Sequence, residues 1–132
     1  MQPDSDTKSK HLFKTISEYK NAPFKWGVSD CCQFVSKYIF RCTEVDLASK
    51  YGNYKTKQGA ARAIKKHGDI VTTVATVCEE VPVTHLQRGD IVALDAEDEI
   101  SLGLVTGVGI VTMIENAGLQ VTNSKIISGW RI

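Results

Sequence analysis

FKWGVSDCCQF, residues 24–34, sets an aspartate before two adjacent cysteines and then an apolar run, the pattern of a capped helix start. Ser29 or Asp30 can cap that helix, and Cys31, Phe34, Val35, Tyr38, Ile39 and Cys42 then fall on one wide apolar face. This periodicity predicts the most buried helix of the chain. A thiol in a first helical turn lies near unpaired N–H groups and the positive end of the helix dipole, both of which favour the thiolate. Cys31 is therefore the candidate nucleophile, and Cys32, about a quarter-turn away, points elsewhere.

Upstream, Asp6 to Lys20 carries Leu12, Phe13, Ile16 and Tyr19 on one side of an amphipathic helix that NAPF ends. Downstream, EVDLASKYGNY reads as a short helix or turn stopping at Gly52, and Thr56 can cap a helix over KQGAARAIKKHG with Gly68 at its C-terminal end. DIVTTVATVCEEV mixes β-branched residues with a capping aspartate and is read as a short helix. Pro82 is expected to mark the hinge between a helical and a β half. From Arg88 onward, DIVAL, ISLGLVTG, GIVTMIE, LQVTN and ISGWRI read as short strands, with DAED and ENAG as turns. Helices followed by an antiparallel sheet predict an α+β domain, three or four helices on a small twisted sheet.

A chain of 132 residues with 42% hydrophobic content can bury one core but not two of ordinary size. One domain over residues 1–132 is expected, with residues 1–8 as a loose N-terminal arm. A net charge of +1 supplies no overall field toward nucleic acid or an anionic membrane. Lys55, Lys57, Arg62, Lys65, Lys66 and His67 form a local basic patch, read as a solvated helix face because no aromatics interleave it, so no nucleic-acid partner is expected. MQPDSDTKSK lacks a secretory apolar segment and no run is long enough to span a bilayer, so a soluble protein made in a cytosol is expected.

Cys31, Cys32, Cys42 and Cys78 are expected as free thiols. With no C-x-x-C pair and with His11, His67 and His85 scattered, neither a metal nor a cofactor is expected. Trp26 is expected to pack in the core against the helix start and Trp130 on the last strand. Arg88-Gly89-Asp90 reads as a turn.

Three segments in order, WGVSDCCQF, QRGDIVAL and ISLGLVTGVGIVTM, resemble the NlpC-type papain-like cysteine peptidases. In that family an Asp-Cys step opens the core helix, a Gly-Asp turn leads into the first strand, and a Ser-His-Val-Gly-Ile step starts the second. The resemblance runs from about Pro23 to the C-terminus. Taken together with YKTKQGAARAIKKHG and the terminal SGWRI, it is nearest to a group of small proteins encoded in phage tail-gene clusters. It implies a papain-like NlpC-type fold, manufacture in a host cytoplasm, residence in the virion tail, and tail-tip or hub proteins as partners, with peptidoglycan as a further candidate.

The resemblance also assigns the site. A thiol peptidase needs a thiolate, a base and a polar residue to orient the base. Cys31 stands at the nucleophile position, Ser101 where the base histidine belongs, and Met113 at the third polar position. A hydroxyl does not take a thiol's proton near neutral pH as imidazole does, and a thioether cannot orient a base. The expected function is thus a tail-tip or tail-assembly component that keeps the peptidase fold without the activity, with Cys31 and Cys32 as small buried apolar residues. The alternative is an active endopeptidase or amidase cutting peptidoglycan stem peptides during DNA entry, and a third is thiol-based acyl transfer or redox chemistry.

Overall fold

In the computed structural model, residues 4–96 and 99–132 are described. Among the described residues, four α-helices precede a six-stranded antiparallel sheet: α1 (Ser5–Tyr19), α2 (Cys31–Thr43), α3 (Lys57–His67) and α4 (Ile70–Ala75), then β1 (Glu79–Val81), β2 (Ile91–Ala96), β3 (Glu99–Thr106), β4 (Gly109–Ile114), β5 (Gly118–Thr122) and β6 (Lys125–Arg131). Short 3-10 turns stand at Ala48–Tyr51 and Val83–His85. The α+β class follows directly.

Each helix begins where a capping side chain sits. Asp4, Asp30, Thr56 and Asp69 each accept the backbone N–H three residues on, satisfying a donor that the first turn cannot use internally. Of the two candidates before α2, Asp30 is the cap, while the Ser29 hydroxyl bonds the Pro23 carbonyl. Because α1 starts at Ser5, residues 5–8 are helix and not the loose arm expected of them; residues 1–3 lie outside the described residues. DIVTTVATVCEEV divides into α4 and β1, so the β structure begins before Pro82, which instead opens the 3-10 turn at Val83. Asp95 and Ala96 of the expected DAED turn are the end of β2, and residues 97–98 lie outside the described residues.

The sheet order is β1-β6-β2-β3-β4-β5. Helix α2 supplies the centre of the core: Phe34, Val35, Tyr38 and Ile39 are fully buried against Ile91, Ala93, Leu102, Leu104 and Trp130. Burial of each large apolar side chain contributes about 1.5–3 kcal/mol, which makes this face the main source of cohesion. Helix α1 packs on α2 through the edge-on rings of Tyr19 and Phe34, 5.2 Å apart, and through Arg41, which bonds Thr15 and pairs with Glu18. Trp26 departs from expectation. It is half-buried, meets Phe24 edge-on, and donates its indole N–H to Glu115, outside the core cluster.

The turn before β2 is anchored from three sides. Tyr38 donates to the Gly89 carbonyl at 2.8 Å, Asp90 accepts the Gln87 N–H, and Arg131 grips both Asp90 carboxylate oxygens. Gly89 has φ +93, a conformation that L side chains rarely adopt. Arg88-Gly89-Asp90 is thus a turn, as read, with an ion pair to the last strand that the sequence did not signal.

Candidate functional site

The first turn of α2 meets the start of β3. The Cys31 thiol faces the Ser101 hydroxyl and the Leu102 amide. Ser101 Oγ lies 3.3 Å from Thr112 Oγ1, and Thr112 donates to the Leu102 carbonyl at 2.6 Å. Since a threonine hydroxyl has one proton, and Thr112 spends it on Leu102, the Ser101–Thr112 contact is one in which Ser101 donates. With that proton engaged, Ser101 stands beside the Cys31 thiol with only lone pairs left to offer. From Ser101 the donors run to Thr112 and end on a backbone carbonyl, which does not take a proton.

Burial pushes the Cys31 thiol above its ordinary value, and the neighbouring Asp30 carboxylate pushes in the same direction. The Leu102 amide opposes this without overcoming it. None of these neighbours is an imidazole. His67 meets the ring of Tyr51 edge-on, His85 lies in the 3-10 turn before β2, and His11 lies in α1.

Met113, aligned with the third polar position, lies on the face of β4 opposite to Thr112. It is buried in the core beside Leu102 and Leu104. The β3–β4 hairpin pairs Thr106 with Gly109 and Leu104 with Val111, and in this register Thr112 shares Ser101's face.

Cys32 points away from Cys31, as the helical geometry requires. Its sulfur is 3.9 Å from Ser36 Oγ, and burial, with Cys31 and Asp30 nearby, pushes its thiol up to about 12. Beside it, Asp30 is almost wholly buried and accepts three bonds, from Gly27 N–H, Gln33 N–H and the Tyr54 phenol. Burial and the Asp30 bond both raise the Tyr54 phenol above its ordinary value. Tyr54 was not anticipated, because a tyrosine in a polar loop carries no pattern. Gly27 makes its approach feasible: at φ +79, a Cβ there would stand 1.9 Å from the Tyr54 carbonyl oxygen.

Residues 5–132 match a family described as a domain of unknown function, DUF6950. The chain belongs to that family. No curated protein matches it.

In this DUF6950 domain the remaining thiols are structural in setting. Burial raises Cys42 and Cys78 to about 11, and both line the core. Among the described residues, no three His, Cys, Asp or Glu side chains group as they would around a metal ion, and no helix is long and apolar enough to cross a membrane.

Proposed function

We propose that this DUF6950 chain is a phage tail-tip or tail-assembly component built on an NlpC-like papain-type fold and lacking peptidase activity. The observation that carries this reading is the Cys31–Ser101–Thr112 chain, in which hydroxyls stand where a base and its orienting group would be needed. General acid–base help contributes about 10²–10⁴ in rate, and a thiol held protonated by burial starts from a smaller nucleophile population as well. The order of WGVSDCCQF, QRGDIVAL and ISLGLVTGVGIVTM supports the family resemblance, and the helix-then-antiparallel-sheet order agrees with it. Fold by itself does not license activity.

The test has two parts. Purified peptidoglycan fragments of several chemotypes are incubated with the protein and with Cys31→Ala, and the products are followed by mass spectrometry. No cleavage by either protein is expected, and cleavage by the parent alone would replace this reading with the active endopeptidase. Proteomics of purified particles from a phage carrying the gene, with electron microscopy of a deletion, then addresses the tail. Absence from particles together with normal tails would remove the structural role.

A further inference from the structure

A concavity lies where α1 crosses the turn before β2 and the end of β6. Its volume is about 420 Å³, and Ser5, Lys8, Ser9, Arg88, Asp90 and Arg131 line it. Ser5, Lys8 and Ser9 come from one face of α1, three and four residues apart. Gly89, which has no side chain to block it, lets the Lys8 stem lie across the turn, within 3.4 Å of where a Cβ would be.

Two of the three cations around this cavity, Lys8 and Arg88, form no ion pair among the described residues. Arg131 is held by Asp90 through Nε and Nη2 and by the His85 carbonyl through Nη2, which fixes its plane and leaves Nη1 without a bond among the described residues. Lys8 Nζ makes one bond, 3.2 Å to the Ile132 main-chain oxygen. Arg88 makes a single long bond, 3.5 Å to Ser9 Oγ. The Asp90 carboxylate is already neutralised by Arg131 and bonded by the Gln87 N–H. Even with a carboxylate at Ile132, the lining keeps an excess positive charge.

We infer that this cavity is a binding site for the oxyanion group of a small organic ligand, a phosphate monoester or a carboxylate. Lys8 and Arg88, with the Nη1 edge of Arg131, line one space, and a guanidinium fork such as that of Arg88 matches the paired oxygens of such groups. A space of this size exceeds what a lone ion fills and falls in the range of small-molecule sites, while its polar walls favour a charged ligand over an apolar one. The inference does not depend on the proposed tail function.

The test is calorimetric titration of the intact protein with methyl phosphate and with acetate at constant ionic strength, repeated on Arg88→Gln, Lys8→Gln and, as a charge-matched control, Lys65→Gln. Saturable binding of at least one probe is expected, weakened roughly tenfold by Arg88→Gln and by Lys8→Gln and unchanged by Lys65→Gln. Whichever probe binds identifies the chemistry, phosphoryl or carboxylate. Arg88 makes no bond that holds the fold, so Arg88→Gln keeps the test interpretable if Lys8→Gln loosens α1. Binding of neither probe, or an equal loss in Lys65→Gln, would overturn the assignment.

Discussion

Tyr54 donates its phenolic proton to Asp30 Oδ2 across 2.6 Å, tying the loop before α3 to the cap of α2. Asp30 is 1% exposed, so each of its three bonds replaces water that it cannot reach. Tyr54→Phe removes one bond and is expected to cost about 1–2 kcal/mol in urea unfolding. Asp30→Ala removes the cap and strands two further donors, for about 3 kcal/mol. A Tyr54→Phe protein as stable as the parent would show that the bond contributes nothing.

Gly27→Ala tests the same corner from the backbone. The added Cβ would lie 1.9 Å from a carbonyl oxygen, and φ at Gly27 is +79. A backbone atom cannot rotate aside as a side chain can, so roughly 3 kcal/mol or more of destabilisation is expected. A thermal midpoint within a degree of the parent would mean that the loop carrying Tyr54 is not held as described.

Burial raises Cys32 to about 12 and Cys42 and Cys78 to about 11, from 9.0. Because the folded state holds these thiols neutral, their contribution to stability is fully present below about pH 9 and is lost as pH rises through about 11–12. The buried phenols of Tyr38 and Tyr54 are raised too and act in the same direction. Thermal midpoints are expected to be insensitive to these groups up to about pH 9 and to fall above it. In the native protein, alkylation at pH 7.5 is expected to be slow until denaturant is added. Rapid native alkylation of Cys32 would contradict its burial.

Ser101→His places an imidazole beside the Cys31 thiol. Cys31 alkylation is expected to accelerate near neutral pH, with an inflection close to an ordinary histidine value of about 6.5. The Cys31→Ala, Ser101→His double variant should lose that phase. An unchanged rate profile would show that the Ser101 side chain does not reach the sulfur.

Arg131→Ala leaves Asp90 buried with only the Gln87 N–H. Unpairing a buried carboxylate costs about 3–5 kcal/mol, reduced here to about 2–3 because Arg131 is itself partly exposed. Arg131→Lys, which keeps the charge but not the fork, should recover about half of that. If both variants unfold at the parent's urea midpoint, the pair is not what holds the turn to β6.

The strand that carries Ser101 shows where reading by spacing works and where it stops. ISLGLVTG announced a strand, and from that strand Leu102 and Leu104 enter the core. Which hydroxyl shares the face of Ser101 depended on a hairpin register that spacing does not specify, and Ser101 meets Thr112. Strand β1 escaped notice because three residues, two of them glutamates, carry no periodicity. Trp26 was expected inside the core, but its flanking Lys25 and Gly27 left it half-buried on a loop.

The local chemistry of the chain was decided by sequence alone. Capping aspartates, the apolar face of α2, the glycine turns and the absence of a histidine at position 101 all depend on neighbours within a few residues. What joins distant segments was decided by tertiary structure: Tyr54 on Asp30, Arg131 on Asp90, Ser101 with Thr112, and Lys8 with Arg88 around one cavity. Those contacts depend on strand register and helix placement, set by burial of the whole core. A single polar residue in a loop carries no mark of the partner it will meet.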